Sequence, residues 1–311
     1  MQPGDPVPPP ELHGGGTIAN TAVGIARLGV PVRFAGAVGD EGYGRFVAED
    51  LQREGVDTGL LRHTDRDFTV SVFAIVHPGG ERTITVWPPE GGAHSYLEAE
   101  DLPAAQVRSA GWLHCSGIAL RRRPVRETII AAAQTAAEAG IPVSLDLNLR
   151  LEFWGWDHEV FETIERLLPS VTTVFGSLED EIRPFLARRT ARAATVDQAP
   201  ATGGQRPIRE TLASLAAGRR TVIARRGAAG AAILGRDGSF REAPARPVTV
   251  VDSVGAGDAF NAGYISGIMR GEPETRALDW GLCASAHQIA REGARALPTR
   301  RELESCLAEG N

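Results

Sequence analysis

Short runs rich in β-branched residues alternate with longer stretches of helical spacing through most of this chain, and that alternation restricts the fold more than any other feature. "VRFAGAV", "GWLHCSG", "PVSLDLN", "VTTVFG", "RTVIARR" and "PVTVVD" read as strands. Between them, "PVRETIIAAAQTAAEAG" and "DHEVFETIERLL" carry apolar residues at helical intervals, and Gly140 is a natural stop for the first. The pattern is that of a mostly parallel sheet covered by helices, so the chain is predicted to form a doubly wound α/β domain. With 311 residues, 42% of them hydrophobic, it can bury one large core, alone or with a small appendage. The appendage is predicted at 68–87, "FTVSVFAIVHPGGERTITVW", where two runs of Val, Ile and Thr flank a glycine turn, as in an antiparallel hairpin that stands off the main sheet as a lid. Residues 187–207, "ARRTARAATVDQAPATGGQRP", lack periodicity and read as a mobile surface loop.

Charge and composition exclude several functions. The formal net charge is -6, with no block of like charge, so nucleic acid and anionic membranes are not expected partners. All 33 basic residues are arginine. Without lysine there is no Walker A loop, no Schiff base and no S-x-x-K hydrolase. Cys115, Cys283 and Cys306 lie far apart in sequence and make no metal or redox motif, which suits a reducing cytoplasm. No apolar run is long enough to span a bilayer, and the first residues lack the features of a signal peptide.

"DSVGAGDAF", residues 252–260, follows the apolar run "RPVTVV" and leads into a helix. A helix start offers unpaired N–H groups and a partial positive charge, and glycine at 255 and 257 lets an anion approach the backbone. Asp258 is out of place there unless it has a task, such as accepting a proton from a hydroxyl that attacks phosphorus. The plain alternative is a helix cap beside a tight turn. Phe260 occupies the last glycine position of G-x-G-x-x-G, which disfavours a dinucleotide site.

This segment is similar to the C-terminal signature of the ribokinase-like (pfkB) sugar kinases, and "GGGTIANTAVGIARLGV" with "GAVGDEGYGRF" resembles the N-terminal one. "GGERTI", "GGAHSYL", "DLNLR", "RRGAAGA" and "GARALPTRREL" follow in the order of that family, and the resemblance runs from about residue 12 to the end. It implies a kinase domain over 12–311 with a lid formed mainly by 12–18 and 68–95. It further implies ATP and magnesium as cofactors, with a small sugar as substrate. Asp258 would be the base, and Gly255, Ala256 and Gly257 the donors to the migrating phosphoryl group. Gly15, Gly16 and Asn20 would face the sugar, Asn20 otherwise reading as a helix cap. Arg225, Gly227 and Gly230 would border the nucleotide, although alone they read as a turn between strands. Asp252 and Val254 match positions that hold a monovalent cation in relatives, so potassium activation is expected. In "GSLEDE", Ser177 stands where the family usually has an asparagine beside the nucleotide, and Glu179 or Asp180 would support magnesium. Relatives often pair through the lid, and the alternation of 69–76 suits such a homodimer face.

"DLNLRLEFWGW" resembles 2-keto-3-deoxygluconate kinases and bacterial fructokinases. Arg150 would grip a phosphate or an acidic sugar, or else pair with Asp146 at a strand end. His114 would line the sugar pocket or serve only the core. Relatives begin with a strand that enters the sheet and offers an aspartate to the sugar, and no such strand is visible in the proline-rich "MQPGDPVPPPELHGGG". Lower stability or activity is expected without it, and a catalytically weak nucleotide- or sugar-binding protein is the rival to a kinase.

Overall fold

The computed structural model describes residues 11–76, 82–88, 90–193 and 207–309. The expected lid turn "HPGGE" (77–81) and residues 194–206 of the expected loop lie outside the described residues. Among the described residues no strand precedes α1 (Thr17–Arg27). β1 (Arg33–Gly39), α2 (Gly42–Arg53) and β2 (Asp57–Thr64) form a parallel pair with its crossover helix. β3 (Ser71–Val76) and β4 (Arg82–Trp87) make the expected antiparallel hairpin, in register from Ser71 with Trp87 to Val76 with Arg82. Leu12, Glu41, Tyr43, Phe68, Thr69 and Trp87 line an open apolar cleft of about 580 Å³ beside it.

The main sheet is built from the rest of the chain. After α3 (Ala104–Arg108) come β5 (Leu113–Ser116), α4 (Val125–Glu138), β6 (Val143–Asp146), α5 (Leu151–Trp154), α6 (His158–Leu167) and β7 (Thr173–Ser177). A π-helical turn over Leu178–Ile182 leads into α7 (Arg183–Ala193). α8 (Ile208–Ala216), β8 (Thr221–Arg225), β9 (Ala231–Leu234), β10 (Phe240–Ala243), α9 (Ala256–Met269), α10 (Glu274–Ile289) and α11 (Arg300–Glu309) complete it. The strand order is β10-β9-β8-β7-β6-β5, with β5 to β8 parallel and β9 and β10 antiparallel. This is the α/β architecture, a mostly parallel sheet covered by helices, that the alternating pattern predicts.

The short central strands are apolar almost throughout because both faces are covered. Leu145, Val174 and Val222 pack against Ile164, Leu212 and Leu215 of α6 and α8. Phe175, Ile223 and Ile233 meet Phe260, Tyr264 and Leu278 of α9 and α10 on the other side. A third cluster joins Val23 of α1 and Leu51 of α2 to Trp280, Leu303 and Leu307. These layers bring the start of α1, the start of α9 and the carboxyl ends of β6, β7 and β8 to one place. Among the described residues no helix is long and apolar enough to cross a membrane.

Three expectations need correction. "PVTVVD" is not a strand: residues 244–252 carry no strand pairing, Val250 and Val251 are exposed, and β10 is already the sheet edge. The chain reaches α9 through irregular backbone held by Val251 N–H on Ile289 O at 2.7 Å. Residues 187–193 are not loop but the end of α7, where Arg and Ala favour helix without an apolar stripe. Cys283 and Cys306, distant in sequence, meet across α10 and α11 as a disulfide, while Cys115 is buried and free.

Candidate active site

Gly255 is the N-cap of α9 and lies in the left-handed region at φ +79°. A Cβ there would also stand 2.5 Å from the Ala294 carbonyl oxygen, so the turn needs glycine twice over. The first-turn N–H groups have no partner within the helix. That of Ala256 turns back weakly to Ser253 O at 3.3 Å. Asp258 lies inside this turn and does not cap it, and it is buried.

Asn20 lies within α1 and is no cap either. It faces α9, and its Nδ2 donates to Asp258 Oδ2 at 2.9 Å. Its Oδ1 accepts from Arg295 Nε at 2.9 Å, which fixes the sense of the amide. Arg295 also donates to Gly15 O at 3.0 Å and pairs with Asp50 of α2. Gly14 packs directly on that pair, with no room for a Cβ. Above Gly15, by contrast, the space is open. Burial pushes the Asp258 carboxyl up to about 7; the Asn20 hydrogen bond pulls it down, Asp146 pushes it up, and Arg225 and Arg150 pull it down.

Beneath the helix start lies a buried ionic cluster. Arg225, at the end of β8, grips both oxygens of Asp146 at 2.8 and 2.7 Å. It also reaches Asn261 Oδ1 at 3.0 Å, Gly257 O at 3.5 Å and Glu181 Oε2 at 3.4 Å. Burial works against its charge, but Asp146, Glu181 and Asp258 outweigh that and raise its pKa. Glu181 accepts from Ser177 N at 2.6 Å and Leu149 N at 2.9 Å. Burial, then the Asp146 charge, push its carboxyl upward.

Several expected site residues have other positions. Arg225, expected beside the nucleotide, turns both of its terminal nitrogens into this cluster. Arg150 does not pair with Asp146; its guanidinium is exposed, 3.7 Å from Glu152, and acts electrostatically on Asp258. Glu179 pairs outward with Arg183 and Asp180 accepts from the Ser177 hydroxyl, so the inner acid of that turn is Glu181. Ser177 uses its hydroxyl as the turn's cap. Gly227 and Gly230 form the expected turn from β8 to β9, but Gly230 lacks a Cβ because Ala243 and Ala245 crowd it. His114 bonds Ser144 Oγ at 2.8 Å and meets Phe175 edge-on, and burial holds its pKa down to about 4, so its ring is neutral. Gly16, at φ +95°, starts α1.

Sequence reasoning missed Arg295, Asp50 and Asn261. Asn261 donates to Asp146 at 2.7 Å and stands one turn after Asp258, a spacing that could have revealed it. Arg295 is 275 residues from Asn20 and lies in "GARALPTRREL", a segment from which the resemblance carried no single residue to the site.

The donors also decide which ions suit the site. Among the described residues no group of three or more His, Cys, Asp or Glu could hold a metal ion. Asp146 and Glu181 give their oxygens to Arg225, Asn261 and backbone N–H groups. The set therefore fits a hydrated magnesium ion carried on substrate phosphates and not a protein cage. Asp252 and Val254, the residues expected at a monovalent cation, take part in a hydrogen-bonded loop. Asp252 accepts from Val254 N at 3.0 Å and Gly293 N at 3.1 Å, and Val254 O is taken by Gln288 at 3.0 Å.

An acid beside a helix N-terminus, at the carboxyl ends of parallel strands, is equipped to deprotonate a hydroxyl next to an anion. Proteins similar to this chain in sequence and fold are carbohydrate kinases. The profile of the pfkB family carbohydrate kinases matches residues 4–300. The fructokinase of Klebsiella pneumoniae is 33% identical over 308 residues, covering 94% of this chain and 91% of that protein. The 5-dehydro-2-deoxygluconokinase of Geobacillus thermodenitrificans is 27% identical over 298 residues, 94% of this chain and 83% of that protein. The crystal structure of Vibrio cholerae O395 fructokinase in its fructose, ADP and calcium ion bound form superposes with a TM-score of 0.77 at 30% identity, covering 94% and 91% of the two chains. Fold and site thus define a phosphotransferase that acts on a sugar hydroxyl. The chain belongs to the pfkB family of carbohydrate kinases.

Proposed function

We propose that the chain transfers the γ-phosphoryl group of ATP to a hydroxyl of a small sugar or sugar acid, with Asp258 as the base. The observation that carries this reading is the Asp258 carboxylate, buried in the first turn of α9 and bonded by Asn20 from the facing helix. Asn20 occupies Oδ2, which leaves Oδ1 to take the proton of the sugar hydroxyl as its oxygen bonds to phosphorus. The bond from phosphorus to the bridging oxygen then breaks and ADP departs. The N–H groups of Gly255 and Gly257, with the α9 dipole, meet the charge on the phosphoryl oxygens, each aimed donor contributing on the order of 3 kcal/mol. Magnesium bound with the nucleotide would neutralise phosphate charge, and Glu181 is the acid best placed to hold its waters.

The open space over Gly15 and Gly16 suits the sugar. Fructose is bound by the Vibrio cholerae neighbour and is the first candidate substrate. A sugar acid is the second, favoured by Arg150. Asn148 and Arg150 both have positive φ, at 39° and 49°, a strained pair, and the exposed Arg150 guanidinium acts electrostatically on the Asp258 carboxyl. Two copies would pair through the β3–β4 hairpin, whose Val72 and Val86 are exposed.

ADP release measured over fructose, ribose, ketodeoxygluconate and 5-dehydro-2-deoxygluconate tests the reading. Turnover with one of them, lost in Asp258→Asn while ATP still binds, is the expected result. Persistent turnover in Asp258→Asn would reject the base.

A further inference from the structure

Gln288 lies in the last turn of α10 and is fully buried. Its side-chain Nε2 donates to two backbone carbonyls that converge on it from different segments, Val254 O at 3.0 Å and Gly293 O at 2.6 Å. The amide sense follows from this, because Oε1 in the same place would face two carbonyl oxygens. Oε1 itself has no hydrogen-bond partner. Asp252 closes the loop from the other side, its two oxygens accepting from Val254 N and Gly293 N. Carbonyl oxygens gathered next to a buried carboxylate form the donor set of an alkali-metal ion. Here a carboxamide N–H₂ group stands at the point where those carbonyls meet.

We propose that the Gln288 carboxamide replaces the monovalent cation, so that this chain carries out phosphoryl transfer without a bound alkali-metal ion. The clamp has a direct structural effect. Val254 precedes Gly255, and the Gly255 turn lies against the Ala294 carbonyl. Tying 254 to 293 therefore fixes the helix start whose N–H groups receive the phosphoryl group. A cation would draw the same carbonyls together through its charge, whereas the carboxamide does so through two hydrogen bonds supplied by the fold itself.

The inference rests on the kinase reading, and two readouts keep the two separate. kcat/KM and melting temperature are measured in potassium, sodium and tetramethylammonium chloride at equal ionic strength, for the wild type, Gln288→Ala and the volume-preserving Gln288→Met. The wild type is expected to show the same kcat/KM in all three salts within about twofold, and the same melting temperature. Gln288→Ala is expected to lose about tenfold or more in tetramethylammonium and to regain activity and melting temperature in potassium, which can enter the vacated space. Gln288→Met should lose activity in every salt, since it fills the space without donating. Selective activation and thermal stabilisation of the wild type by potassium would overturn the proposal. So would Gln288→Ala or Gln288→Met turning over like the wild type in tetramethylammonium. If no sugar is phosphorylated at all, the kinase reading fails, while the melting temperatures still decide whether potassium binds.

Discussion

As the proposed base, Asp258 must be ionised to accept a proton, yet burial holds its pKa up to about 7, so activity and stability should depend on pH in opposite senses. kcat/KM should rise with pH through a limb near 7, as the free enzyme's base loses its proton. For stability the sign is reversed. The folded-state value lies above the ordinary carboxylate range, so between about pH 4 and 7 the native state keeps a proton that the unfolded chain releases, and stability falls as pH rises through that window. Asp258→Asn should therefore lose kcat by about 100-fold or more and still melt a few degrees higher than the wild type at pH 8. A lower melting temperature for the variant at pH 8 would contradict a carboxylate held against its preference. Arg295 acts one bond further away. Arg295→Met removes the donor that orients Asn20, and with it the hydrogen bond that favours the charged form of Asp258. Asp146, Arg225 and Arg150 still face the carboxyl. The acid limb should then move to higher pH and the sugar KM rise by about tenfold. An unchanged limb with only a lower melting temperature would make Arg295 purely structural.

At the scale of elements, the start of α9 depends on a residue that no side chain can replace. Gly255→Ala would force a left-handed backbone on alanine and drive its Cβ against Ala294 O. A loss of about 1–3 kcal/mol of stability, with kcat falling further than the sugar KM changes, is expected from chemical denaturation and steady-state kinetics. Wild-type stability in this variant would mean that the turn is looser than its geometry indicates. The turn glycine at the start of α9 was legible in the sequence because a helix start has its own local grammar, whereas Asp258 and Asn20 read locally as caps and took their proposed roles only from the family resemblance. β6 to β8 were legible because strands covered on both faces are largely apolar. "PVTVVD" has the same composition and is no strand: composition reports burial preference but not whether a neighbour is available for pairing. The arginine-rich end of α7 was missed because the search for helices looked for an apolar stripe. The contacts of Arg225, Arg295 and Gln288 went unseen for one reason. Their partners Asp146, Asn20 and Val254 lie 79, 275 and 34 residues away, and only the tertiary fold brings each pair together.

Across the whole molecule, β3 and β4 pair with no other strand among the described residues. Two strands alone are marginally stable in water. Their register separates the exposed apolar side chains by face: Val72 and Val86 are cross-strand partners on one side, whereas Phe73 and Trp87 belong to the other. Trp87 contributes to the cleft with Leu12, Tyr43 and Phe68, so its face is the inward one. The Val72 and Val86 face is then left for a second copy, which would bury the apolar surface and stiffen the hairpin. Sedimentation at micromolar concentration should give twice the 33.0 kDa chain mass for the wild type and the single mass for Val86→Arg. A wild type that sediments as one chain at every concentration would show that the hairpin faces solvent.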